Sequence, residues 1–540
     1  MKNLNLKKSL VALTTAALVS VFAVAIPSTA NAAATCEKDY ITVNGKYVDF
    51  EKCTGTDFRG SKYEIRMPSK FNGTMMLYSH GIRYNVDLPP IPVVAPTGSV
   101  RNYAPEIAPT EEVGELLLAQ GFALAGAGVQ VQGWNPTEQV YAALEVNTVA
   151  RNKYSSINKV VAWGNSLGAL SSQSMAEQYP GLFDAVGAMC LADSALAEIT
   201  MAGDFLWGVK TFFDPSIKAV GYSAGTAGYM EMLGDIGKVL TVIGTIQAAI
   251  TANPLAPTWP ATSTVPDALK ALPVRSAILM IGLMSGVSTQ SSTFDSSSGP
   301  AGALETGFGL LVSPALAVLE NGFSAAVLAV IANYDLEQRA GGIIFDNSNT
   351  DYVARLGSDA DTYAAALSGA SKGIAGMGAY LNRLNPAAPR VKADPAAVAK
   401  IQQIYGLKGA ITAPTITITA TADQITPPGA TQYLIDQYTS AVSDGKATKG
   451  MLVNIWNKPA DEYTQFSAAG SPVKPAVATN GTGHCNFTAD QYLAVANILS
   501  DAVESNGKLD TGVVRENALA NATGLSIAPR TGRMQKYYKK

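Results

Sequence analysis

Strand-like and helix-like patterns alternate from Lys62 to Cys190, cease near Ala195 and return at Pro414. Lys62 to Met67 alternates as a half-buried strand does, while Thr74 to Ser79, Phe122 to Gly126, Lys159 to Trp163 and Phe183 to Cys190 are more continuously apolar. Glu111 to Gln120, Pro136 to Lys153 and Leu167 to Gln178 carry helical patterns between them. A strand that is apolar throughout has to be covered on both faces. The rhythm therefore predicts an α/β chain with a mostly parallel sheet and helices on both faces. After the break, Pro414 to Thr421, Thr426 to Val442, Met451 to Trp456 and Thr488 to Glu504 read as strand, helix, strand and helix. One core domain interrupted by one insertion is the simplest count.

The interruption, residues 195–400, is rich in Ala and Gly, with apolar runs at Val239 to Ile250 and Ser276 to Val287. Each is about a dozen residues long, short of the roughly 20 that span a bilayer. They read as buried helices of a large, mainly helical lid. Pro254 to Pro260, Gln290 to Pro300, the Pro-rich stretch Tyr84 to Pro109 and Asn457 to Gly483 read as loops. Of the 540 residues, 47% are hydrophobic and only 15% charged, which argues for a well-buried protein and against disorder. A net charge of -3 gives no footprint for nucleic acid.

The N-terminus reads as a removable export signal: Lys2, Lys7 and Lys8, then an apolar stretch from Leu10 to Ile26, then Pro27 and Ala30-Asn31-Ala32. A retained anchor is the alternative. The expected division is a signal peptide at 1–32, core at 33–194, lid at 195–400, core again at 401–510, and a tail at 511–540. That tail is basic, with Arg530, Arg533, Lys536, Lys539 and Lys540. Removal of the signal would leave a secreted protein without a stable membrane span, in a compartment that permits disulfides. The four cysteines allow three pairings. Cys36 and Cys53 flank a hairpin pattern, Tyr40 to Glu51, turning at Asn44-Gly45, so locality favours joining them and leaves Cys190 with Cys485. No CxxC or Cys/His metal spacing occurs, and no metal or cofactor is expected.

Gly164-Asn165-Ser166-Leu167-Gly168 lies directly between an expected strand and an expected helix. A serine hydroxyl is a poor nucleophile unless it is exposed and a base takes its proton. A tight strand-to-helix turn supplies the exposure, and the helix N-terminus supplies free N–H groups where negative charge develops. Only two histidines are available as base. His484, in the Gly-rich loop Gly481-Thr482-Gly483-His484-Cys485-Asn486-Phe487, is the favoured one. His80, in His80-Gly81 after an expected strand, is read as structural, bonding loop backbone. Asp423, at the end of the Pro414 to Thr421 strand, is the expected acid. An N-cap role for Asp423 and an acid role for Asp193 are the alternatives. The N–H groups of Ile82 and Leu167 are expected to form an oxyanion hole.

The strand-His-Gly segment, the Gly-Asn-Ser-Leu-Gly turn, the Asp423-Gln424-Ile425-Thr426-Pro427-Pro428 loop and the Gly-His-Cys loop together resemble the α/β-hydrolase superfamily. Phe122 to Gly126 with Gly133-Trp134 also resembles its secreted esterases and prolyl-oligopeptidase-like members. The cysteine after His484 is similar to one in tannases and feruloyl esterases, which is bridged there to a cysteine preceding the serine. Here Asn165 holds that place, and Cys190 is the candidate partner instead. The resemblance implies a carboxylic ester hydrolase, acting on a small-molecule or polymeric ester through Ser166, His484 and Asp423 without cofactor or metal. A serine peptidase and a non-catalytic binding protein on the same fold are the alternatives. Tyr84, Trp134 and Phe487, near the motif segments, are candidate walls of the substrate site, and each reads equally as a core residue.

Overall fold

The computed structural model describes residues 34–528, apart from 93, 297–302, 384–387, 467–471, 474–479, 506, 508, 510–511, 513, 515–521 and 523. The expected signal peptide and Arg530, Arg533, Lys536, Lys539 and Lys540 of the tail lie outside the described residues.

Ten strands form one sheet. In chain order its first seven are β1 (Thr35–Val43), β2 (Lys46–Thr56), β3 (Lys62–Pro68), β4 (Thr74–Ser79), β5 (Ala123–Gly128), β6 (Lys159–Asn165) and β7 (Ala185–Met189). After the insertion come β8 (Thr415–Ala420) and β9 (Leu452–Asn457), then a separate small pair, β10 (Gln465–Phe466) and β11 (Pro472–Val473), and finally β12 (Leu525–Ser526). The spatial order is β1-β2-β3-β5-β4-β6-β7-β8-β9-β12. The six strands from β5 to β9 run parallel, while β1, β2 and β3 on one side and β12 on the other pair antiparallel. The early crossing that sets β5 outside β4 and the sequential continuation from β6 through β9 give an α/β-hydrolase sheet.

The central strands β4 and β6 divide their side chains between two cores, as period-two geometry requires. Met76 and Tyr78 of β4, with Val161 and Trp163 of β6, pack under helices α1 (Glu111–Ala119) and α14 (Ala489–Glu504). Their neighbours Met75, Leu77, Val160 and Ala162 face α2 (Pro136–Lys153) and α3 (Leu167–Gln178). Continuous apolar runs were thus strands covered on both sides. The β1–β2 turn places Asn44 (φ 50°) and Gly45 (φ 75°) in the left-handed region, the geometry of a two-residue hairpin turn.

The chain between β7 and β8 is helical. Its long members are α4 (Ala195–Phe212), α5 (Gly225–Ala252), α7 (Val274–Ser285) and α8 (Ala303–Ala340), which pack on one another around a single apolar cluster. Short helices α6 (Asp267–Lys270), α9 (Tyr352–Leu356), α10 (Asp359–Thr362) and α11 (Ala375–Asn382) fill the periphery, before α12 (Pro395–Tyr405). Helix α13 (Pro428–Ser443) then covers β8.

Three expectations need correction. The run Val239 to Ile250 is not a short helix but part of the 28-residue α5. Both α5 and residues Gly309–Ala340 of α8 are long and apolar enough to cross a membrane by length and composition. In α8 that apolar window is 78% buried by neighbouring helices, against 39% in α5. Helix α5 buries Met232, Ile236, Val239, Ile243, Ile246 and Ile250 and turns Gly237, Thr241, Thr245 and Gln247 outward, so it is amphipathic. The boundary at 400 falls inside α12, which packs on α4 and α8. The tail is not wholly outside the fold either. Leu525 and Ser526 pair with Asn457 and Trp456, because the bare edge of β9 offers backbone groups to a returning segment.

The turn after β6 is set by backbone crowding. A methyl group on Gly168 would overlap the carbonyl oxygens of Ser79 and His80, and one on Gly164 would overlap Ser79 and the Gly168 backbone. On α5, Gly237 has open space instead. Gly168→Ala should therefore lower unfolding free energy by about 2 kcal/mol or more, through overpacking against backbone. Gly237→Ala should be neutral or stabilising by up to about 1 kcal/mol. Urea unfolding of the two variants checks the contrast, and equal effects would contradict it.

Candidate active site

Every expected site segment lies beyond a C-terminal strand end, where open α/β sheets bind ligands. Residues 80–82 follow β4, Ser166 follows β6, Asp423 follows β8, and His484 lies on the loop leading to α14. Ser166 adopts φ 56° and ψ -120°, an unusual conformation for a residue with a side chain. Its N–H donates to the Met189 carbonyl at 2.9 Å, and its carbonyl accepts from Ala169 at 3.0 Å. The serine is therefore pinned to β7 on one side and to α3 on the other. Gly81 passes so close that a Cβ there would stand 3.6 Å from the Ser166 Cβ. Leu167 is the first residue of α3, where an N–H has no intrahelical acceptor.

The Asp423 side chain is fully buried. His484 Nδ1 lies 3.1 Å and 3.0 Å from its two carboxyl oxygens. The N–H groups of Ile425 (2.8 Å) and Thr426 (3.0 Å) donate to Oδ1, and the Thr426 hydroxyl stands 3.1 Å from Oδ2. Asp423 is thus held by its own turn, with the imidazole as an additional partner, and it is not a helix N-cap, since α13 starts after Pro427. This arrangement puts the ring proton on Nδ1 and leaves Nε2 free of the carboxylate. The Ala422 N–H donates to the Gly481 carbonyl at 3.0 Å, joining the two loops by backbone.

Disulfides join Cys36 to Cys53, opposite each other in the β1–β2 ladder, and Cys190 to Cys485. The second ties the end of β7 to the residue after His484. A parallel link runs through Asn165, whose Nδ2 donates to the Tyr492 hydroxyl at 2.7 Å, while that hydroxyl donates to the Cys485 carbonyl at 3.2 Å. Thr426 adds a third, donating to the Cys190 carbonyl at 3.0 Å.

Ser166, His484, Ile82, Leu167, Tyr84 and Trp134 all line one cavity of about 390 Å³. Ser166 and His484 face it without a direct hydrogen bond, and Nε2 lies 3.4 Å from Cys485 Sγ. Such contacts are often long before a substrate is bound. Phe487 is not a wall residue: it packs edge-on against Tyr492 in the core beneath α14. Placed just after the loop, it turns toward the sheet rather than toward the cavity. His80 does not line the cavity. Its Nδ1 lies 2.6 Å from the Gly81 carbonyl, its carbonyl accepts from Gln139 at 3.0 Å, and burial pulls its pKa down to about 4.

The far wall comes from the insertion, which motif reasoning did not resolve into residues. Ile199 and Met201 of α4 and Leu328 and Ile331 of α8 supply apolar surface. Asp335 of α8 accepts from the Trp134 N–H at 2.6 Å, from Asn85 Nδ2 at 2.5 Å and from Arg339 Nε at 3.0 Å. This clasp fixes α8 to two core loops. Glu198, in the first turn of α4, also lines the cavity. Its only sequence signal is a lone acid in the apolar segment 195–199.

Asp193 does not meet an imidazole: its carboxyl is buried with neither oxygen partnered. Burial, reinforced by Glu177, pushes its pKa well above the ordinary 3.8. A carboxyl whose folded pKa is raised stabilises fully below its unfolded pKa, and that contribution is lost as pH rises through the folded value. Stability should accordingly fall as pH is raised above about 4, and Asp193→Asn should flatten the decline. Urea midpoints between pH 5 and 8 check this; parallel slopes for variant and wild type would contradict it.

Residues 61–219, which contain the serine turn, match a tannase-like family of unknown function (DUF6351). No curated protein matches the chain. Among solved structures, the chain is similar to feruloyl esterase B from Aspergillus oryzae at 13% identity, covering 89% of this chain and 88% of that one with a TM-score of 0.40. An esterase from Aspergillus oryzae is 12% identical over 78% of each chain, with a TM-score of 0.35. Tannin acyl hydrolase from Aspergillus niger is 11% identical over 87% of this chain and 82% of that one, with a TM-score of 0.34.

Proposed function

We propose that this chain is an exported serine hydrolase that cleaves carboxylic esters through Ser166, His484 and Asp423. The observation that carries the reading is a serine in a strained strand-to-helix turn sharing a cavity with an imidazole whose other nitrogen is held by a buried carboxyl. Two disulfides fit an oxidising compartment.

In the proposed reaction, His484 Nε2 takes the proton of the Ser166 hydroxyl as its oxygen attacks the ester carbonyl. The N–H groups of Ile82 and Leu167 hold the oxyanion of the tetrahedral intermediate. The imidazolium then gives its proton to the departing alcohol, and Asp423 keeps the ring oriented throughout. Water, deprotonated by the same nitrogen, attacks the acyl-serine and releases the acid. The insertion closes the far side of the cavity, so the acyl or alcohol groups admitted are selected largely by α4 and α8.

A panel of aryl esters and matched aryl amides tests the reading. Wild type should hydrolyse the esters and leave the amides essentially uncut. Ser166→Ala should lose about 10⁴-fold or more in kcat, and Asp423→Asn about 10⁴-fold, through the wrong imidazole tautomer. Full turnover by Ser166→Ala would sink the mechanism, and efficient amide cleavage would favour a peptidase.

A further inference from the structure

Buried polar groups almost always find partners, so those that do not call for a physical reason. Glu198 is 5% exposed, and neither of its carboxyl oxygens has a hydrogen-bond partner. It stands in the first turn of α4 and lines the cavity that Ser166 and His484 share. Leaving such a group unpaired costs stability, and the ester cleavage proposed above makes no use of it. Two other segments of the same cavity wall carry the same feature. The Oε1 of Gln424 and the indole Nε1 of Trp134 are buried without partners. Around them the walls are apolar, with Ile199, Met201, Leu328 and Ile331. A few unsatisfied polar groups set in an apolar concavity is the make-up of a site that orients a ligand by hydrogen bonds.

The chemistry of the three groups narrows the ligand. An unpartnered buried carboxyl favours its neutral form, and burial, with Asp423 and Asp193 adding to it, raises the pKa of Glu198 well above the ordinary 4.5; the neutral acid can donate and accept. Gln424 Oε1 only accepts, and the indole N–H only donates. An anionic substituent would find no lysine or arginine among the described residues of the cavity lining to pair with it. An alkyl group would leave all three polar atoms unsatisfied. A hydroxyl both donates and accepts and carries no charge.

We propose that Glu198 is a specificity-determining residue that hydrogen-bonds a hydroxyl group on the bound ester. The inference rests on the ester-hydrolase reading above and deepens it. The hydroxyl can belong to the acyl part or to the alcohol part of the substrate, and the assay separates these sources.

The test uses hexyl hexanoate and two series of its derivatives, with one hydroxyl moved along the acyl chain or along the alkyl chain. The whole protein is assayed by acid release. Wild type should favour at least one hydroxylated ester over hexyl hexanoate by about tenfold in kcat/KM, the worth of one good hydrogen bond in a dry site. The series that shows the preference identifies the source. In Glu198→Leu that ratio should fall to about one, chiefly through KM, while Glu198→Gln, which still donates and accepts, should keep part of it. With no substrate present, both variants should melt at or above the wild-type temperature, because an unpaired buried carboxyl has been removed. A ratio unchanged in Glu198→Leu, no preference for any hydroxylated ester, or equal loss of turnover on all esters would overturn the assignment of Glu198. Absence of turnover of every ester by wild type would instead overturn the ester-hydrolase reading itself.

Discussion

The site depends first on a contact between backbones. The end of β4 presses its Ser79 and His80 carbonyls against Gly164 and Gly168, so closely that neither glycine can carry a side chain. That contact brings the segment after β4 beside the serine turn and starts α3 directly from β6. From it follow the place of Ser166 on the cavity wall, the free N–H at the head of α3, and the passage of Gly81 beside the serine, where a Cβ would stand 3.6 Å from the Ser166 Cβ. The rest of the sheet serves to hold these two strands in register, Ser79 opposite Gly164.

A second problem is the return of the chain. Between β7 and β8 it leaves the sheet to build a helical layer, and then has to bring the acid and the imidazole back to the serine. Ordering the ends of so long an excursion has an entropic cost that the parallel pairing of β7 with β8 helps to offset. The links around Cys190 and Cys485 reinforce it. The disulfide, the Thr426 bond to the Cys190 carbonyl and the Asn165–Tyr492–Cys485 relay all join the early strands to the late loops. Asn165, which stands where tannases and feruloyl esterases are expected to carry a bridging cysteine, still reaches the histidine loop, through Tyr492 rather than through sulfur.

The core was legible where burial is two-sided. Thr74 to Ser79 is apolar throughout because alternate residues enter different cores, and Pro136–Lys153 and Leu167–Gln178 begin at a proline and at the serine turn, which mark a helix start unambiguously. Position along the chain failed where direction decides. Phe487 follows the histidine loop closely yet turns into the core against Tyr492, and no residue pattern announces that turn. Helix α5 read short because its glycines and threonines face outward and break the apolar run, although the buried face continues beneath them. Leu525–Ser526 is too brief a strand to carry a period. Glu198 and Asp335 were invisible for a different reason: their roles arise from contacts between the insertion and the core, which no local window contains.

A crystal structure of the protein inactivated by an aryl phosphonate, whose adduct mimics the tetrahedral intermediate, tests the roles of Ser166 and His484. Acyl transfer through Ser166 requires phosphorus bonded to its Oγ, one phosphoryl oxygen within hydrogen-bond distance of the Ile82 and Leu167 N–H groups, and His484 Nε2 turned from Cys485 toward the serine oxygen while Nδ1 stays on Asp423. An adduct on another residue, or one on Ser166 with His484 still directed at the disulfide and no donor to the phosphoryl oxygen, would contradict it.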